Sequence, residues 1–424
     1  MRSLSGLFLL LVSVLPLKAK NLSVSIDTGK SANGIFAEHE ELTFRIKLVN
    51  PFAKRIKANV SWQITTDENQ RLVSGKESQI IGKNQTLTRP IHHKVNEPGF
   101  YRLKITCATN EGTQTRSMQV GYAPERILPK LTSHGDFKKF WDNSRQELEK
   151  IPAAFELNHQ GKLSKGALDV YEVTMRSLGS VRVSGWYEVP KSPGPHPAVL
   201  RFPGYGQNMK PIARFDDMAT FSFNVRGHGN SKEDIAGKPQ DYWIRGLDDK
   251  GTYYYRGAYM DCIRAMDFLC SRKEVDSKRI AVIGGSQGGG LSLATAAMDK
   301  RVSLCASGIP FLTNWEKYFR TTHWPEMNKW IAAQDQRTWD STLETLSYFD
   351  TMNMAPWIDC PVFMGIALQD SICPPPTNFA VYNRIKAIKE YRVYPQANHS
   401  LGPQYHKLVF DWIRMKFHLP RKNK

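Results

Sequence analysis

Arg279-Ile-Ala-Val-Ile-Gly284-Gly285-Ser286-Gln287-Gly288-Gly289-Gly290-Leu291-Ser-Leu-Ala-Thr-Ala-Ala-Met298 reads as a strand, a sharp turn and a helix in immediate succession. Ile280 to Ile283 is a short unbroken apolar run, as expected of a strand covered on both faces. Leu291 to Met298, rich in Ala and Leu, predicts a helix. Between them lies G-x-S-x-G. So abrupt a turn drives side chains at Gly284 and Gly288 into neighbouring backbone, and glycine has no Cβ to collide. Ser286 is left at the tip in a strained conformation, facing the free N–H groups and positive dipole end of the helix. No lysine follows as a phosphate-binding loop requires, and the glycine spacing is not that of a dinucleotide fingerprint. The pattern predicts an exposed nucleophile.

Such a serine needs an acid and a base, and both follow. Pro361 to Ile366 predicts a strand, and Ala367-Leu-Gln-Asp370 puts a carboxylate just past its C-terminal end, the edge where open α/β sheets carry their sites. Cys373-Pro-Pro-Pro376 stiffens the next turn, Tyr391 to Tyr394 predicts another short strand, and Pro395-Gln-Ala-Asn-His399 follows it. Among eleven histidines only His399, His406 and His418 lie beyond Asp370; His406 falls in a helical pattern and His418 near the tail. The order Ser286, Asp370, His399 is that of an α/β-hydrolase. In this reading His399 takes the Ser286 proton and passes it to a leaving alcohol, while Asp370 holds the imidazole tautomer. Two N–H donors must meet the developing oxyanion. The backbone N–H of Gln287 is one. The other is expected from Pro203-Gly204-Tyr205-Gly206, after the early strand Ala198–Phe202: the N–H of Tyr205, with Gly206 in reserve.

Outward from these motifs, strands and helices alternate from the amphipathic helix that starts at Phe137. Residues 132–424 are therefore expected to form a mostly parallel sheet with helices on both faces. Residues 20–122 have another rhythm. Leu22 to Ile26, Leu42 to Leu48, Val60 to Ile64 and Tyr101 to Ile105 alternate apolar and polar positions between turns. They predict an all-β, immunoglobulin-like sandwich of about seven strands. Pro124 and Pro129 punctuate a linker at 123–131. Arg2, the apolar run Leu7–Leu17 and Ala19 read as a signal peptide, residues 1–19, too short to span a bilayer and interrupted by Pro16. A secreted or periplasmic protein is expected, cleaved after Ala19 and without a membrane anchor.

The length of 424 residues exceeds the usual single domain, and 41% hydrophobic with 23% charged residues is ordinary for globular chains. Disordered, collagen-like and polytopic membrane classes are excluded. A net charge of +18 would point to nucleic acid if it were clustered. No nucleic-acid module occurs, no basic run crosses the catalytic motifs, and the sandwich cations fall largely on outward strand positions. Six cysteines without CxxC pairs, and His92-His93 without further ligands, predict neither a disulfide framework nor a metal site.

Phe140-Trp141, Gly204-Tyr205-Gly206, Asn224-Val-Arg226-Gly227-His228-Gly229, Tyr253-Tyr-Tyr-Arg256-Gly257, Gly285-Ser286-Gln287-Gly288-Gly289, Asp370-Ser-Ile-Cys-Pro-Pro375 and His399 occur in this order. On these motifs, from about Leu131 to Leu419, the chain resembles the acetyl xylan esterase / cephalosporin C deacetylase family, carbohydrate-esterase family seven. The resemblance implies a serine esterase that deacetylates small acetylated sugars, xylo-oligosaccharides especially, and in some members cephalosporin C. It implies no metal or organic cofactor, and Arg226-Gly227 as a structural motif. Family members commonly form ring-like hexamers whose sites face an inner chamber, so a homo-oligomer is implied here. The chain departs from the family in its added sandwich, in His228 where Gln is usual, and in Ser400 where Glu usually follows the histidine. None replaces a member of the triad.

Two other readings compete. Acyl-CoA thioesterases and acyltransferases that resemble this layout generally carry Cys at the elbow, and Ser286 argues against them. A non-catalytic carbohydrate-binding protein on a dead hydrolase typically lacks a triad residue, and all three are present.

Overall fold

The computed structural model describes residues 21–420 apart from Lys30, Ala236, residues 238–240 and His323, so the expected leader at 1–19 lies outside the described residues. Two packed sheets come first. Strands β1 (Ser23–Asp27), β3 (Leu42–Val49) and β6 (Thr86–His93) make one; β2 (Ile35–Phe36), β4 (Ile56–Thr66), β5 (Arg71–Ile81), β7 (Gly99–Thr109) and β8 (Gly112–Tyr122) make the other, in the order β2-β8-β7-β4-β5. Alternation sets the faces: Leu42, Phe44, Ile46 and Leu48 point inward, while Arg45 and Lys47 are exposed. Phe44, Val60, Leu103, Ile105 and Val120 from both sheets share one core. Eight strands stand where about seven were expected. The shortest, β2, is two residues long and has no alternation to read.

The second part opens with α1 (Phe137–Glu149), whose Phe137, Trp141 and Leu148 are buried. Then come β9 (Glu156–His159), β10 (Leu168–Arg176), β11 (Arg182–Pro190), β12 (His196–Phe202) and β13 (Ala219–Asn224). Helix α2 (Tyr254–Ser271), β14 (Val275–Gly285), α3 (Gln287–Met298) and β15 (Leu304–Gly308) follow. Four short helices, α4 (Trp315–Thr321), α5 (Pro325–Ala332), α6 (Trp339–Ser347) and α7 (Thr351–Met354), precede β16 (Val362–Ala367). The chain closes with α8 (Pro375–Arg384), β17 (Lys389–Tyr394) and α9 (Gly402–Lys416). The nine strands form one sheet in the order β17-β16-β15-β14-β12-β13-β11-β10-β9. Strands β12 to β17 run parallel, and β9, β10 and β11 are antiparallel.

Strand β14 shows why the sheet is covered on both sides. Ile280 and Val282 pack with α2 and α3 residues such as Met266 and Leu293, whereas Ala281 and Ile283 pack with Val409, Phe410 and Ile413 of α9. Successive side chains therefore meet different helical layers, and each buried aliphatic stabilises the sheet by about 1.5–3 kcal/mol. This is the α/β-hydrolase architecture expected of residues 132–424.

The two parts are tied together. Phe100 of β7 packs on Phe379 of α8, with ring centroids 5.8 Å apart. Lys317 of α4 pairs with Asp67 (2.9 Å) and Glu68 (2.6 Å) at the β4–β5 turn. The connecting stretch 123–131 is strapped to α8, where the Asn383 amide donates to the carbonyls of Pro124 (2.9 Å) and Ile127 (2.8 Å). All six cysteines are free thiols.

Candidate active site

Ser286 is the cap of α3 and sits at φ 57°, ψ −122°, the strained elbow conformation. Its backbone is locked. The N–H donates to Gly308 (3.0 Å), and its carbonyl accepts from Phe311 (3.0 Å) and Gly289 (2.9 Å). The glycines meet the steric demand read from the sequence. A Cβ on Gly284 would lie 2.4 Å from the Gly288 carbonyl, and one on Gly288 2.5 Å from the Phe202 carbonyl oxygen. The second contact also shows how closely the start of α3 abuts the end of β12.

Three predicted residues from three loops converge. His399 Nε2 lies 3.0 Å from Ser286 Oγ, and His399 Nδ1 lies 2.9 Å from Asp370 Oδ2. The Asp370 side chain is fully buried while that of His399 is 26% exposed, so the acid is sheltered and the base faces the opening. Asp370 Oδ1 accepts from the N–H groups of Ile372 (2.8 Å) and Cys373 (2.9 Å), which fixes the carboxylate with its other oxygen toward His399. The Cys373 thiol lies 3.9 Å from Ser286 Oγ. Burial pushes its pKa well up, and the Asp370 charge adds to this. It is a neutral wall beside the serine, a role the sequence reading missed when it treated Cys373 only as part of a stiff turn.

The residues proposed for the oxyanion sort themselves. Among the described residues, the N–H groups of Tyr205 and Gln287 have no hydrogen-bond acceptor. The reserve donor is taken: Gly206 N–H donates to His228 Nε2 at 3.1 Å. The Gln287 side chain is buried, accepting from Tyr255 Oη (2.8 Å) and reaching Pro203 O (3.4 Å) and His228 Nε2 (3.3 Å) through its amide nitrogen.

Arg226 and Gly227 lie outside this convergence and shape the turn beneath it. Arg226 pairs with Asp261 of α2 through Nε (2.8 Å) and Nη2 (2.7 Å) and donates its backbone N–H to the same carboxylate (2.9 Å). A Cβ on Gly257 would lie 2.0 Å from Arg226 Nη1, so that glycine makes room for the guanidinium. Gly227 has φ +78° and lies under the Tyr242 ring. Asp261 was not singled out from the sequence, although a lone carboxylate inside an apolar helix is the mark of a buried pair.

A cleft of about 830 Å³ opens beside Ser286 and His399, walled by Phe202, Met209, Tyr405 and Phe410, with Arg201 and Arg214 contributing charge. Such a volume suits a small ligand.

Comparison with known proteins supplies the family. Residues 122–416 match the sequence model of the family described as Acetyl xylan esterase (AXE1), beginning where the sandwich ends. The chain is 31% identical over 336 residues to the acetyl esterase Axe7A of Xylanibacter ruminicola, covering 76% of this chain and 75% of that one. Among solved structures, an acetyl xylan esterase from Paenibacillus sp. R4 is 34% identical, with a TM-score of 0.64, over 69% of this chain and 98% of its own. Acetyl xylan esterase 1 from Thermoanaerobacterium sp. JW/SL YS485 is 27% identical, with a TM-score of 0.63, over 68% of this chain and 96% of its own. An α/β-hydrolase sheet, a serine elbow within hydrogen-bond reach of a histidine, and a family match over most of its length place this chain, a carboxylic ester hydrolase, in the acetyl xylan esterase family.

Proposed function

We propose that this chain is an exported serine acetyl esterase that deacetylates small acetylated sugars, xylo-oligosaccharides among them. The carrying observation is the run of contacts Ser286 Oγ to His399 Nε2 to Asp370 Oδ2, at 3.0 and 2.9 Å. Ser286 attacks the acetyl carbonyl as its proton passes to His399 Nε2. The oxyanion accepts hydrogen bonds from the N–H groups of Tyr205 and Gln287, and Asp370 stabilises the imidazolium. Collapse expels the sugar alcohol, which takes the proton from His399 and leaves an acetyl-serine. Water, deprotonated by His399, then releases acetate and restores the hydroxyl. No step calls on a metal or cofactor.

The same chemistry serves cephalosporin C, whose acetyl group is an alkyl ester, and we include it in the proposal. Export rests on the leader pattern at 1–19, an immunoglobulin type for the sandwich on its two facing sheets, and a homo-oligomer on the family resemblance. Ser286→Ala is the test, assayed with p-nitrophenyl acetate on purified protein. Turnover is expected to fall by about three orders of magnitude or more, and retained turnover overturns the triad. Acetate release from acetylated xylo-oligosaccharides, acetylated mannose sugars and longer aryl esters ranks the substrates. Mass in solution reads the assembly.

A further inference from the structure

His228 lies between the two segments proposed to supply the oxyanion donors, in contact with Gly206 on one and Gln287 on the other. It is 1% exposed. Its Nε2 receives Gly206 N–H at 3.1 Å from one side, and the Gln287 amide nitrogen lies 3.3 Å away on the other. Its Nδ1 is 3.3 Å from Arg226 O and 3.3 Å from Tyr254 Oη, and that hydroxyl donates to Arg226 O at 2.7 Å. The pattern admits one tautomer. Gln287 Oε1 already accepts from Tyr255, so its amide presents N–H groups to Pro203 O and to His228. Two donors converge on Nε2, which must therefore hold a lone pair, and the ring proton sits on Nδ1 facing Arg226 O.

We propose that neutral His228 is a positioning residue that holds the Tyr205 loop and Gln287 in register as one oxyanion hole, and that a proton on its Nε2 takes the hole apart. The proposal rests on the function assigned above and adds a second acid-sensitive group to it. By occupying the Gly206 N–H, His228 orients the loop so that the neighbouring Tyr205 N–H is left for substrate. By receiving the Gln287 amide, it fixes the residue whose own backbone N–H is the other donor. Protonated, Nε2–H would point at two N–H groups, and both contacts become repulsive.

The surroundings favour the neutral ring. Burial pulls its pKa from 6.5 to about 4, Lys232 acts in the same direction, and the Arg226 carbonyl and Asp261 oppose it. Asp261 is already paired with Arg226. The remaining neighbours are aromatic, with Tyr205 and Tyr242 ring centroids at 6.4 and 5.6 Å.

The test compares His228→Gln and His228→Leu with wild type, using p-nitrophenyl acetate from about pH 3.5 to 8, with circular dichroism at each pH to establish that the protein is folded. Glutamine can accept the Gly206 N–H but does not titrate. In His228→Leu, kcat is expected to fall ten- to a hundredfold with KM within about twofold, because an oxyanion hole acts in the transition state. His228→Gln is expected to recover most of that loss. Below about pH 4, log(kcat/KM) is expected to fall more steeply in wild type than in His228→Gln, the difference approaching one unit of slope. A wild-type kcat in folded His228→Leu, or the same slope in wild type and His228→Gln, overturns the proposal. Labelling of Ser286 by a reactive organophosphate, followed by mass spectrometry, reads the parent assignment independently. Labelling with unchanged slopes sinks the His228 role alone; an unlabelled Ser286 sinks the function.

Discussion

Gln119 of β8 and Gln369, the residue before Asp370, exchange hydrogen bonds across 250 positions of sequence: Gln119 N–H donates to Gln369 Oε1 at 2.9 Å, and Gln369 Nε2 donates to Gln119 O at 3.0 Å. Gln119 Nε2 adds a bond to Leu368 O at 3.2 Å. Gln369 also reaches the loop that carries the base, through Nε2 to Pro395 O (2.7 Å) and its backbone N–H to Ala397 O (3.0 Å). One side chain thus joins the sandwich, the acid loop and the base loop. The sandwich is a brace on the site as well as an appended domain.

Gln369→Leu removes three side-chain hydrogen bonds and leaves the backbone bond to Ala397. The Asp370–His399 alignment should loosen, with kcat down by about tenfold and KM little changed. Steady-state kinetics on p-nitrophenyl acetate checks it; a KM effect alone would mean that Gln369 shapes the cleft instead.

The elbow glycines are not equivalent. A Cβ on Gly285 would meet nothing nearer than 3.9 Å, whereas one on Gly290 would lie 2.3 Å from Phe311 O and one on Gly288 2.5 Å from Phe202 O. Gly285→Ala should shift stability by less than about 1 kcal/mol, and Gly288→Ala should cost about 3 kcal/mol or fail to fold. Urea unfolding of the two variants separates them.

The Arg226–Asp261 pair has side-chain exposures of 11% and 0%. Asp261→Asn leaves a buried guanidinium without its counter-charge and should cost about 3–5 kcal/mol. Arg226→Met combined with Asp261→Leu should recover part of that loss, because neither charge then stays unpaired. A double-mutant cycle by urea unfolding measures the coupling.

His228 makes folding stability depend on pH. Its folded pKa, about 4, is below the ordinary 6.5, so between these values the unfolded chain binds more protons. The stabilisation is complete above pH 6.5 and is lost as pH falls toward 4. The loss amounts to about 3 kcal/mol across the window. Urea midpoints at pH 7 and pH 4.5 should diverge more in wild type than in His228→Gln, and an equal drop would contradict the depressed pKa.

Much of the site was legible along the chain because the chemistry is local there. Ile280–Ile283, the elbow glycines and the first turn of α3 each demand particular residues within a few positions. Asp370 and His399 were legible because each follows the C-terminal end of a parallel strand, where the topology gathers loops. Asp261, Cys373 and Gln369 were not assigned roles, because what they do depends on partners that only packing supplies.

The sequence by itself determined the two-part organisation, the serine elbow, and the order of acid and base, since periodicity and steric need at a turn are properties of adjacent residues. It put Tyr205 forward as a donor without a reason to set Gly206 aside, and it left His228 and Gln119 without a task. Only the tertiary structure decided those: a hydrogen bond between residues tens or hundreds of positions apart forms when the strands beneath them have taken their register. His228 occupies Gly206, Tyr205 is left free, and Gln119 reaches Gln369 for that reason.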